Sequence, residues 1–112
     1  MQVFVCLQPI DLRKSFDSLA ALVSGVVGQN PLSGHLFVFI NRYRDRVKIL
    51  SWDHSGYCLY YKRLEEGTFR LPVEADTSIV SRMLSFPELT LMLEGIDLSH
   101  ARRRKRFSLK KG

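Results

Sequence analysis

The chain opens on an apolar run, QVFVCL at 2–7, that predicts a short strand ended by Pro9. From 12 to 27 the period changes. Phe16, Leu19, Ala20, Val23, Val26 and Val27 recur on one helical face, with Arg13, Lys14 and Asp17 on the other. Asp11 is the expected helix N-cap, and Arg13 and Asp17 are spaced i,i+4 for an ion pair. Gly28, Asn30, Pro31, Ser33 and Gly34 then predict a loop.

Three further runs follow: HLFVFIN at 35–41, RVKILSWD at 46–53 and YCLYYKR at 57–63. The cationic turn RYRD separates the first two and DHSG the last two, which predicts an antiparallel meander. The order acid first, glycine last suits a type I turn followed by a left-handed residue, hence a bulged hairpin. Val47 and Ile49 face one way, Leu50 and Trp52 the other. Neither face is polar, so both should be covered, one by the helix and the other by a later element or a partner chain. Residues 64–67 read as a turn, 68–72 as irregular or a short edge, and 77–83 as a fourth strand. Ser85 and Glu88 form a capping box around Pro87. Leu89, Leu91, Met92 and Leu93 then mark a short helix closed by Gly95. The predicted class is α+β: a meander of three to five strands packed with an N-terminal and a short C-terminal helix. Residues 1–99 form one domain, and 100–112 form a basic tail expected to be disordered without a partner.

Charge gives the first functional clue. Net charge is +6, from 17 basic and 11 acidic side chains. Arg102, Arg103, Arg104, Lys105, Arg106, Lys110 and Lys111 supply seven of the basic groups, and no acid lies beyond Asp97. The chain before them is near neutral. The tail is therefore a polyanion-binding element or a solubilising arm, with nucleic acid as the favoured ligand. Composition is ordinarily globular, with 46% hydrophobic residues. Cys6 and Cys58 make no disulfide framework, so reduced thiols in a cytoplasm are expected. The uncharged stretch 18–41 is broken by Gln29, Asn30 and Pro31 and does not read as a membrane span.

Candidate chemistry is sparse. Asp53, His54 and Cys58 are close in sequence, but no C-x-x-C or H-x-x-x-H spacing exists, so neither metal nor other cofactor is expected. Those three read as a turn acid, an exposed histidine and a core cysteine. A magnesium-dependent nuclease would need converging carboxylates. The strongest constellation would bring Asp53 near Glu65 or Glu66, with Lys62 alongside. Basic and aromatic interleaving is better represented. Arg42, Arg44 and Arg46 surround Tyr43 at one hairpin turn and could hold phosphates. Tyr57, Tyr60 and Tyr61 could stack on unpaired bases, although strand tyrosines are more often packing residues. Lys62, Arg63, Glu65 and Glu66 form either a surface ion-pair cluster or a partner-docking surface.

Three segments carry a family resemblance: DLRKSFDSLAALV at 11–23, PLSGHLFVFINRYRDRVKILSWDHSGYCLYYKRLEEGTF at 31–69, and LEGIDLSHARRRKRF at 93–107. In order and spacing the chain resembles the small accessory proteins, called TnpB or second-reading-frame products, of the insertion sequence 66 family. Ile40 and Tyr43 stand where that pattern carries arginines, which thins the hairpin's charge. The resemblance implies DNA transposition as the process, with DNA and a separate, larger transposase of the same element as partners. It brings no catalytic residues. Two classes of function follow: a non-catalytic accessory factor that holds DNA, transposase or both, and a metal-dependent nuclease of the transposition complex. An inactive remnant of a decayed element is the third reading.

Overall fold

The computed structural model describes residues 1–72 and 74–97, the last two by main chain only, and the main chain of Arg102–Arg103. Its centre is a five-stranded sheet in the order β4-β3-β2-β1-β5. The strands are β1 (Val3–Cys6), β2 (Leu36–Ile40), β3 (Arg46–Trp52), β4 (Tyr57–Arg63) and β5 (Ser81–Leu84). The expected α+β class holds, and β2, β3 and β4 form the expected antiparallel meander. The first strand adds what the pattern left open. β1 lies inside the sheet, parallel to β2 through Val3↔Leu36 and antiparallel to β5 through Val3↔Leu84. A parallel neighbour requires a crossover, and the N-terminal helix supplies it.

All four residues of β1 are buried, so each of its faces belongs to a core. One core takes Phe4 and Cys6 of β1, Phe37 and Phe39 of β2 and Leu50 of β3, and packs against Leu19, Ala20 and Val23 of the N-terminal helix. The other takes Val3, Val5, Val38, Ile40, Val47 and Ile49, and packs against Leu84, Leu89 and Met92. The expectation that both faces are covered is met by two helices of the same chain. Full burial of each of these large side chains contributes roughly 1.5–3 kcal/mol.

The N-terminal helix begins later than its periodicity suggests. Helix α1 is Phe16–Leu22, and a wider π-helical turn, Val23–Val27, completes it. Asp11 is not the cap, because its side chain is committed elsewhere: Asp11 Oδ1 accepts the Arg13 N–H at 3.0 Å, and the Asp11 carbonyl accepts from Lys14 N–H. That local turn competes with helix. Ser15 holds the cap position without a side-chain bond. Arg13 pairs with Asp11 at 2.6 Å instead of with Asp17, and Phe16 is exposed rather than on the buried face. Ile10 and Leu12 are buried instead, and Ile10 N–H bonds the Ile40 carbonyl, so residues 9–14 wrap over the sheet before the helix starts.

The second helix follows its signals closely. In α2 (Phe86–Leu93) the Ser85 hydroxyl accepts from Glu88 N–H, and Ser85 N–H donates to the Glu88 carboxylate, around a proline in the first turn. Gly95, at φ 77°, ends it. The fourth-strand signal at 77–83 matches β5 only at its end. The DHSG turn places its left-handed residue at His54, φ 63°, rather than at the glycine. The 64–72 segment is irregular but anchored, since Phe69 is fully buried in the α2-side core. Main-chain Ile96–Asp97 (β6) pairs with Arg102–Arg103 (β7). Among the described residues no helix is long and apolar enough to cross a membrane.

Two substitutions test this packing. Phe69→Ala should destabilise the protein by about 3–5 kcal/mol, and Ser85→Ala by about 1 kcal/mol, in denaturant titrations. Glu88 titrates below the ordinary carboxylate value because the Ser85 main chain and hydroxyl bond its charged form. Its contribution is complete above that ordinary value and is lost as pH falls, so the Ser85→Ala deficit should shrink in acid.

Candidate nucleic-acid interface

The turn between β2 and β3 is a rigid platform. Asn41 Oδ1 accepts from both Asp45 N–H and Arg46 N–H at 3.0 Å, and Asn41 Nδ2 donates to Asp45 Oδ1 at 2.7 Å. Arg44 adopts φ 59°, and its carbonyl accepts from Phe69 N–H. Leu64 N–H bonds the Asp45 carbonyl. The turn is thus tied to its own hairpin and to the buried Phe69 segment. Arg42 and Tyr43 point into solvent from it, with Tyr43 77% exposed.

Beside this platform, on the α1 side of the sheet, lies a groove of about 1030 Å³. The 9–13 segment forms one wall and the 41–46 turn another, and Lys48 and Tyr61 lie between them. Arg13, Arg42, Arg46 and Lys48 line it against Asp11 and Asp45, a net of two positive charges. Both acids are engaged. Asp11 receives a two-pronged Arg13 contact, which holds its carboxyl well below the usual range, at about 2. Asp45 holds the Asn41 amide. Arg46 Nη1 donates to the Tyr61 hydroxyl at 3.0 Å.

Lys48 is the unusual member. It is only 7% exposed, its Nζ donates to the Lys14 carbonyl at 2.7 Å, and the ammonium lies 4.8 Å from the centre of the Tyr61 ring. Among the described residues it has no ion pair. Its stem is buried, and its ammonium is held at the groove by a carbonyl and a π face.

Of the three hairpin arginines, Arg42 and Arg46 line the groove, while Arg44 is exposed outside its lining. Of the strand tyrosines only Tyr61 joins. Tyr57 packs edge-on against Trp52 at 5.1 Å, and Tyr60 points to the opposite face of the sheet. Lys62 Nζ donates to the Leu93 carbonyl at 2.6 Å, where the last turn of α2 leaves acceptors open. Arg63 pairs with Glu65 on the surface, and Glu66 is half-buried. Arg104, Lys105, Arg106, Lys110 and Lys111 lie outside the described residues, as do the side chains of Arg102 and Arg103. Spacing alone missed Arg13 and Lys48. The available signal for Lys48 was alternation, which puts it on the same face as Leu50.

Asp53 does not meet Glu65. Asp53 sits where β3 leads into β4, and Glu65 lies past the far end of β4, beside Asp45. Antiparallel pairing holds them a strand length apart. No group of three His, Cys, Asp or Glu side chains converges among the described residues. Cys58 is exposed, not a core cysteine; its thiol donates to Asp53, which pushes its pKa up, whereas Cys6 is the buried one.

Compared with known proteins, residues 1–103 match the family described as IS66 Orf2 like protein. The chain is 33% identical over 104 residues to the uncharacterized protein y4jC of Sinorhizobium fredii (strain NBRC 101917 / NGR234), covering 93% of this chain and 86% of that one. It is 37% identical over 100 residues to the uncharacterized protein y4hO of the same organism, covering 89% and 84%. No solved structure matches it.

The Asp11–Arg13 contact gives a direct test. In an NMR titration the Asp11 carboxyl should show a midpoint of about 2, rising toward 3.8 in Arg13→Ala. A depressed folded-state pKa contributes stability that is complete above pH ~4 and is lost as pH falls through ~2. An unchanged midpoint in the variant would show that the contact is not formed in solution.

Proposed function

Because this chain belongs to the IS66 Orf2 like protein family, we propose that it is a non-catalytic accessory protein of an insertion-sequence transposition system. It binds DNA through the groove beside the 41–46 turn and through its basic tail, and the transposase of the same element is its protein partner. It acts in the cytoplasm. The observation that carries this reading is the convergence of Arg42, Arg46 and Lys48 on one groove. Phosphate oxygens entering there would meet the Lys48 ammonium on β3 and the forks of Arg42 and Arg46 on a turn already fixed by Asn41. Such contacts position a nucleic acid without reading its sequence. Tyr43, exposed at the rim, offers a stacking face to an unpaired base.

The absence of a role in bond breaking is part of the proposal. Phosphoryl transfer by two metals needs acids within coordination distance of each other. In the groove, Asp11 and Asp45 are each engaged by a neighbouring side chain. The protein therefore holds DNA or transposase, and the chemistry belongs to its partner.

The test is affinity for duplex and single-stranded DNA over a series of salt concentrations. With five to seven phosphates neutralised by the tail, the log–log slope on duplex should be about −4 to −6, and it should fall in a chain ending at Ser99. Arg42→Ala with Arg46→Ala should weaken binding across all sequences and reduce the slope by about 2. Unchanged affinity in both variants would remove groove and tail from the account. Incubation with labelled DNA and magnesium or manganese should give no cleavage. Metal-dependent cleavage lost in a folded Asp53→Ala or Glu65→Ala protein would favour the nuclease instead.

A further inference from the structure

Strand β4 is a sheet edge of unusual quality. Among the described residues no strand lies beyond it. Its seven residues keep unbroken register with β3, from Arg46↔Arg63 to Trp52↔Tyr57, with no bulge. Residues 57–61, YCLYY, contain neither charge nor proline. Sheets normally blunt such edges with short strands, inserted charge, proline or bulges. The opposite edge is shorter: β5 has four residues with Arg82 in its middle, paired to Glu74, whereas the charges of β4, Lys62 and Arg63, stand only at its end.

The phase of the ladder shows which groups remain open. Leu64 N–H bonds the Asp45 carbonyl, and Asp53 N–H bonds the Gly56 carbonyl. Even-numbered residues of β4 therefore bond inward to β3. The main-chain N–H and C=O groups of Tyr57, Leu59, Tyr61 and Arg63 point away from the sheet. Tyr60, 48% exposed, stands on the α2 face beside an apolar cavity of about 320 Å³ lined also by Leu36, Ile49, Leu89 and Leu93.

We propose that two copies of this chain join through β4, antiparallel about a two-fold axis at Tyr60, making one continuous sheet. The sequence of the edge argues for a second copy as occupant, because the strand is self-complementary in this register. Pairing that uses every residue of β4 sets Tyr57 opposite Arg63 of the second copy, Cys58 opposite Lys62, and Leu59 opposite Tyr61. No like charges face each other, and about eight main-chain hydrogen bonds form across the axis. A slip must be two residues to keep the open groups facing. In one direction that brings Asp53 opposite Glu65, and in either direction it leaves strand residues unpaired. The two-fold also places both Tyr61 side chains on one face next to the axis. The two basic grooves then become neighbours on a single surface.

Sedimentation velocity of the full chain over a wide concentration range should show a reversible dimer. Tyr60→Lys sets two ammonium groups facing each other on the axis, and it should abolish the dimer while leaving the circular dichroism and thermal melt of the monomer intact. A Tyr60→Cys protein in a Cys58→Ser background should form a disulfide-linked dimer on mild oxidation. The same background with Met83→Cys, exposed at the opposite edge, should not. A chain that is monomeric at every concentration overturns the proposal. So does a dimer that survives Tyr60→Lys, or one that cross-links as readily through residue 83 as through residue 60.

Discussion

Four residues set the constraint on which the rest of the structure depends. Val3–Cys6 sits between β2 and β5, with both ladder sides paired and both faces buried. A strand in that position must be covered above and below, because its alternate side chains enter two separate cores. Its parallel relation to β2 forces the intervening chain to cross one face, which places α1 there. Its antiparallel relation to β5 returns the later chain to the sheet and delivers α2 to the other face. The segment that leaves β1 is part of the same consequence. Residues 9–14 must travel over the end of the sheet, and in doing so they build one wall of the groove and carry the Lys14 carbonyl to Lys48.

The basic groove is thus a product of topology as much as of composition. Its members come from the crossover, the first hairpin turn, and β3 and β4. Asn41 fixes the turn through its side-chain amide, so the arginines beside it are displayed on a backbone that is already ordered. Preorganisation of this kind lowers the entropy lost on binding. The α2 face is different in character. There Lys62 closes the helix end and the neighbouring cavity is apolar, which suits packing and association rather than contact with a polyanion.

Much of this was legible in the sequence. The meander announced itself by three runs and two turns, and the second helix by a capping box and a closing glycine, because those signals are local. The basic turn could be read as a candidate contact for the same reason. What local pattern could not supply was neighbourhood. Nothing within QVFVCL tells which strands flank it, and nothing within TFRLP shows that Phe69 reaches a core. Asp11 misled because an aspartate before an apolar helical pattern has two uses, a helix cap and a local turn, and the arginine two residues on selects the turn. Lys48 was visible as a lysine in an inward-facing position, but its burial becomes meaningful only when residues 9–14 are known to pass over it. In the tail, charge is what the sequence shows, and the pairing of Arg102–Arg103 with Ile96–Asp97 is another neighbourhood that local pattern did not supply.

The central claim is that the groove between residues 9–13 and the 41–46 turn receives nucleic acid. The most direct measurement is an amide chemical-shift titration of the folded protein with a short oligonucleotide at moderate salt. The account predicts that the largest shifts in the folded domain fall on residues 9–14 and 41–48 and on Tyr61, with the Lys48 side-chain resonances moving with them. Shifts concentrated on α2 and β5 instead, with the groove silent, would contradict it.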